Sequence, residues 1–272
     1  MQFSLLARVT IVKNNFMAML SKILIYPIKS LDAVEVAACE IALTGALRND
    51  RIHAILDTHG NYVNGKRNAA VHKLRSDFGP ALQTLTLSHP GAAARTFQFP
   101  SERAAIEEWL SVFFGFKATL ASDESGYPDD TDSPGPTVIG TATLEAVASW
   151  FPGMSLDEAR RRFRANLEIG GTPPFWEDRL FSELGESVRF QIGDVVVEGV
   201  NPCQRCVVPS RDSMSGESMN DFQKVFIEKR KASLPPWANA ARFNHFYRLA
   251  VNTRIVAQAG KCFRIGDVVK SI

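Results

Sequence analysis

Apolar residues in this chain come in short, near-alternating runs rather than long helical stripes. KILIYPI (22–28), AVEVAACEIAL (33–43), RIHAILD (51–57) and ALQTLTL (81–87) each read as a strand, and TFQFP (96–100) as a shorter one. Turn-forming clusters separate them: THGN at 58–61, NG at 64–65 and FGP at 78–80. Many short strands at such spacing predict a barrel or a sandwich rather than βαβ units. QIGDVVVEGV (191–200) and RIGDVVKSI (264–272) each place a Gly-Asp turn before a valine run, which predicts two barrel edges rather than a repeat architecture.

Helical spacing is confined to four segments. SERAAIEEWLSVFF (101–114) opens on a serine cap with an acid in its first turn. TATLEAVASWF (141–151) and DFQKVFIEKRK (221–231) carry apolar residues at helical intervals, and SLDEARR opens with the capping box Ser155/Glu158. The expected class is therefore mainly β with peripheral helices, an α+β fold. SDESGYPDDTDSPGP (122–136) is polar, acidic and rich in Pro and Gly, so it reads as a linker. The expected division is a loose extension over 1–21, one domain over 22–121, the linker, and a second domain over 137–272. Arg8, Lys13, Asn14 and Asn15 interrupt the first twenty residues, so no membrane span is expected there. A translation start at Met17 or Met19 fits the same pattern.

Composition narrows the partners. With 272 residues and a net charge of +2, nothing global favours nucleic acid, so any basic character that matters is local. Four cysteines, Cys39, Cys203, Cys206 and Cys262, are too few for a disulfide scaffold and predict a reduced, cytoplasmic protein. Two of them form a CxxC in NPCQRCVVPS (201–210). Structural zinc wants four ligands, whereas His53, His59, His72, His89 and His245 are scattered. A redox dithiol wants a helix after the motif, and Pro209 in CVVPS is a poor helix start. A pair of small residues in a barrel corner is a third reading. The fourth is a single thiolate serving a metal brought in by a cofactor, with Arg205 beside Cys206 favouring the charged form.

Basic motifs recur elsewhere. YPIKS (26–30) ends a strand with Lys29 and Ser30, LRNDRIHAI (47–55) carries Arg48 and Arg51, and RRFRANLEI (161–169) packs three arginines and Asn166 at a strand entry. Each alone reads as solvated surface charge; together with Arg205 they form a candidate anion site.

In this order, YPIKSL, LRNDRIHAILD, RFRANLEIGG…PFWEDRL, NPCQRCVVPSRD…SGE and FRIGDVV resemble the MOSC-domain proteins. The closer resemblance is to the group with an N-terminal MOSC β-barrel domain, which includes the mitochondrial amidoxime-reducing component and bacterial reductases of N-hydroxylated compounds. It runs from about Lys22 to the C-terminus. It implies a MOSC β-barrel packed with an N-terminal β-barrel-like domain, and a molybdenum-pterin cofactor (Mo-molybdopterin). Cys206 matches the metal ligand. Lys29, Ser30 and Arg51 match positions around the pterin phosphate, Arg164 and Asn166 match the FRPN positions, and Arg205 matches the basic neighbour of the ligand. Cys203 is then a supporting residue, with Pro202 fixing the strand exit. Ser133 is a further candidate cofactor contact, as is Asn252, which also reads as a strand-edge asparagine.

The departures are local. FRAN puts Ala165 where the family has proline, LRNDR keeps Arg51, and DSMSG keeps Asp212 and Gly216. Asp212 reads as a loop-turn residue or a proton relay. The implied activity is reduction of a small N-hydroxylated substrate. Electrons then come from a separate ferredoxin-, flavodoxin- or cytochrome b5-like donor, because no iron–sulfur or flavin motif is visible and no C-x4-C-x2-C follows. The chain is expected to be a stand-alone catalytic unit. The alternatives are a carrier of molybdenum cofactor or sulfur, and a thiol or zinc protein without molybdenum.

Overall fold

The computed structural model describes residues 17–272. Of the predicted N-terminal extension, residues 1–16 lie outside the described residues. Met19 already begins a strand, so the last three residues of that extension are ordered sheet.

The first half of the chain contains β1 (Met19–Ile25), β2 (Val34–Val36), β3 (Ala38–Glu40), β4 (His53–Leu56), β5 (Arg75–Phe78), β6 (Thr84–Ser88), β7 (Arg95–Gln98), helix α1 (Arg103–Phe114) and β8 (Thr119–Ser122). Next come β9 (Val138–Gly140), α2 (Thr141–Ser149), α3 (Leu156–Phe163) and β10 (Leu167–Gly170). The remainder holds β11 (Val188–Ile192), β12 (Val195–Gln204), α4 (Phe222–Ala232), β13 (Arg248–Arg254), β14 (Cys262–Arg264) and β15 (Val269–Ser271). The fold is mainly β with peripheral helices. No helix among the described residues is long and apolar enough to cross a membrane.

Eight strands form one sheet in the order β15-β11-β12-β13-β9-β10-β1-β2. A bridge between Met19 and Val268 ties β1 to the start of β15. Leu20 N donates to Asp267 O at 2.9 Å and Val269 N to Ala18 O at 2.8 Å. The sheet therefore curls like a barrel without closing fully, these few bonds being the contact between its β1 and β15 regions. Leu20, Ile23, Ile25, Val138, Leu167, Ile169, Phe190, Val195, Val197 and Val251 fill its interior. Alternation produces this: along β12 the side chains at 195 and 197 are buried while 196 and 198 are partly exposed. Gly199 continues the inner face because a Cβ there would lie 1.7 Å from Leu180 O. The two Gly-Asp turns meet, since β15 pairs with β11 and a Cβ on Gly193 would lie 2.6 Å from an Asp267 carboxylate oxygen.

β1 and β2, which precede the predicted linker, hydrogen-bond into a sheet built from residues that follow it, and β3 pairs with β14. Position 121 thus does not separate the sheets. The remaining N-terminal strands make a β5-β6-β7 sheet and a β4-β8 pair. Ile55, Leu85, Phe97, Ile106, Leu110 and Leu120 fill the core between these strands and α1. A third cluster, including Leu144, Phe163, Phe222, Phe226 and Tyr247, joins α2, α3 and α4 beneath β13.

Candidate functional site

A cleft of about 1150 Å³ opens between these cores. Lys29, Ser30, Arg51, Ser133, Arg164, Asn166, Arg205, Cys206 and Asn252 all line it. The predicted linker is one of its walls, through residues that include Tyr127, Asp129, Asp130 and Ser133.

The end of β1 builds the first corner. After Pro27 the chain turns: Lys29 N donates to His53 O at 2.7 Å, and Ser30 sits in the left-handed region at φ 75°. The Lys29 ammonium donates to Asp129 Oδ1 at 2.6 Å and to Tyr127 O at 2.8 Å. Burial lowers the Lys29 pKa, and Asp129 opposes that fall. Asp129 is held well below the usual carboxylate range: burial alone would raise it, but Arg51 and Lys29 together outweigh that. Arg51, also left-handed at φ 54°, pairs with Asp50 and lies 3.4 Å from Asn166 Oδ1.

Helix α3 delivers the next residues. Ser155 accepts from Glu158 N at 3.1 Å, which forms half of the predicted capping box. The Glu158 carboxylate does not return to the cap. It accepts from Ser213 N at 2.9 Å and pairs with Arg161 and Arg162. The helix ends at Arg164 in the left-handed conformation, φ 52° and ψ 42°. A residue before proline is pushed toward extended backbone, so Ala165 leaves this ending open. Ser155→Ala should cost about 1 kcal/mol of stability, read from urea unfolding.

Arg164 donates to Leu31 O at 2.7 Å, and its guanidinium lies 4.1 Å from the Tyr26 ring centre. Arg51 approaches the same ring at 4.8 Å. Tyr26 is thus stacked with two cations, a role its place in YPIKS did not announce. Burial raises its pKa and lowers that of Arg164. Asn166 is 2% exposed: its amide donates to Leu24 O at 3.0 Å, and its carbonyl accepts from Thr137 N at 3.2 Å. Asn252 donates to Asp130 Oδ2 at 2.9 Å and to Asn201 Oδ1 at 3.2 Å.

Strand β12 supplies the thiols. It runs past Pro202 to Gln204 with irregular register on either side, so the proline does not end it. Arg205 donates to Cys203 Sγ at 3.2 Å and to Phe163 O at 2.6 Å, so its guanidinium serves Cys203 rather than its chain neighbour. Cys206 is half-buried and, among the described residues, its sulfur makes no hydrogen bond. A short turn over 208–210 follows, and the Asp212 carboxylate accepts from Ser215 N at 2.8 Å and Met214 N at 3.0 Å. Those bonds make Asp212 a turn organiser.

A pterin-held metal fits this donor set. Arg205 Nε and Ser133 Oγ are buried without a protein partner among the described residues. Buried polar atoms of that kind call for one. Among the described residues no three His, Cys, Asp or Glu side chains converge as a metal cage.

The family profile of the MOSC N-terminal beta barrel domain matches residues 17–154, and that of the MOSC domain matches residues 137–270. No curated protein is significantly similar in sequence. The crystal structure of the YUAD protein from Bacillus subtilis aligns over 93% of this chain and 94% of its own, at 11% identity and a TM-score of 0.38.

Proposed function

Because the chain belongs to the MOSC-domain proteins with a MOSC N-terminal β-barrel domain, we propose that it is a molybdenum-cofactor-dependent oxidoreductase that reduces N-hydroxylated compounds. The observation that carries this reading is Cys206, a thiol with no hydrogen bond among the described residues, opening into a cleft that Lys29, Arg51, Arg164 and Arg205 also line. The bound molybdenum–pterin group would supply the two-electron redox centre.

The residues divide the work of holding that group. Cys206 would be the one protein ligand to the metal, a soft sulfur suited to such a centre. Lys29, Arg51 and Arg164 would carry the anionic phosphate by charge-assisted hydrogen bonds. Ser30, Asn166, Asn252 and the free Ser133 hydroxyl would take its polar edges, and Arg205 Nε would donate near the metal. Asp129 already sits against Lys29, so its carboxylate would give way to a bound phosphate.

In the reaction one N–O bond breaks and one N–H bond forms. Two electrons and two protons are consumed and water is released. Electrons would come from a separate iron–sulfur, flavin or haem protein of ferredoxin, flavodoxin or cytochrome b5 type. The test is to load the protein with cofactor, supply reductant and benzamidoxime, and measure benzamidine and metal together. Benzamidine formation with about one molybdenum per chain is expected, since one ligand holds one metal. Molybdenum without turnover of any N-oxygenated compound would leave a cofactor carrier instead.

A further inference from the structure

Four guanidinium groups line the cleft with no carboxylate partner among the described residues: Arg164, Arg205, Arg242 and Arg248. The first two belong to the cofactor reading. The other two come from a different wall, the turn over 240–242 and the first residue of β13.

Both are held in place by neutral oxygens. Arg242 donates to Ser182 O, to Glu183 O at 2.9 Å and to Val200 O at 3.2 Å. Arg248 donates to Pro202 O at 2.8 Å and, through two nitrogens, to Asn244 Oδ1 at 2.9 and 3.3 Å. A guanidinium has about five N–H donors, so roughly two remain on each side chain. Carbonyl and amide oxygens fix these head groups without cancelling their charge. Burial lowers the Arg248 pKa, with Cys203 opposing and Arg242 adding to the fall.

Arg248 stands opposite Gln204 in the β12–β13 ladder, two residues before Cys206. The pair shares the cleft with Cys206, is half-buried, and has no carboxylate partner among the described residues. A planar fork with donors to spare matches a carboxylate. Half-buried placement inside the cleft favours a small molecule over an acidic protein surface.

We propose that Arg242 and Arg248 form a carboxylate subsite, so that the N-hydroxylated compounds this cleft takes are carboxylic acids. This rests on the reductase reading, and a binding measurement keeps the two separable. The probes are benzamidoxime and 4-carboxybenzamidoxime, titrated calorimetrically into the cofactor-loaded protein. The carboxylated probe should bind about tenfold more tightly, the effect of one well-placed charged contact. In R248Q and in R242Q that ratio should fall toward one, while R248K, which keeps the charge but loses the fork, should retain only part of it.

Equal affinity of the wild-type protein for the two probes would overturn the subsite. So would a loss of molybdenum in R248Q, which would move the pair to the cofactor, or an effect of R248Q confined to the electron donor's KM. Selective binding of the acid without turnover would keep the subsite and fail the reductase reading alone.

Discussion

Under the proposed function, Cys206→Ala should lose bound molybdenum and with it nearly all turnover, whereas Cys203→Ala should lose less of both. Loss of a partner that only supports a ligand costs roughly 10–100-fold in metal affinity or activity, and loss of the ligand itself should exceed that. The two thiols differ in what surrounds them. Cys203 packs against the helix cluster beneath β13 and accepts from Arg205 at 3.2 Å. Cys206 makes no hydrogen bond through its sulfur among the described residues and faces the cleft. Metal per chain, measured on both variants after identical loading, decides the matter. Equal loss in the two would restore the reading in which the cysteines act as a pair.

The second large effect concerns stability. Arg230→Ala should destabilise the protein by about 3–5 kcal/mol, as expected when one partner of a buried ion pair is removed. The Arg230 and Asp178 side chains are 1% and 4% exposed, and the guanidinium grips both carboxylate oxygens at 2.6 and 2.7 Å. The same guanidinium lies 4.4 Å from the Phe175 ring centre and 4.8 Å from that of Phe243. Without Arg230, Asp178 would be a buried charge with no counter-ion. Burial already raises its pKa despite the arginine. Replacing both residues, Arg230→Met with Asp178→Leu, should cost clearly less than Arg230→Ala alone. Urea unfolding of the three proteins measures this, and a double variant as unstable as the single one would contradict the argument.

Local pattern carried the sequence reading where the physics is local. Each of the four α-helices lies within about two residues of its apolar spacing, because that periodicity is a property of one segment. Strand β1 is shifted to Met19–Ile25 from the expected 22–28, because the chain turns at Pro27 and the Lys29 amide bonds to His53. What the segments could not announce is pairing. Nothing in KILIYPI indicates that β1 joins β10, or that Cys39 faces Phe263 across the β3–β14 ladder.

The site divides in the same way. Its basic residues were legible in their motifs, while their contacts were not. Arg164 on Tyr26 and Asp129 on Lys29 both depend on elements about 100 or more residues apart. One contact did leave a signal. Residues two apart share a strand face, and Arg205 N continues the β12 ladder by donating to Tyr247 O at 3.0 Å. Arg205 therefore shares a face with Cys203, as alternation alone would have suggested.

The entry of β1 into a sheet made of much later residues has a consequence in time. Ile23 pairs with Leu167. At about 5–20 residues per second, the first strand waits roughly 7–30 s after its synthesis for that partner to be made. During this interval Leu20, Ile23 and Ile25, each buried in the finished barrel, have only the native cover that β2 and Cys39, Ile41 and Leu47 provide. The newborn chain is thus open to mispairing while it is still tethered to the ribosome, and a chaperone that shields β1 would act at that step.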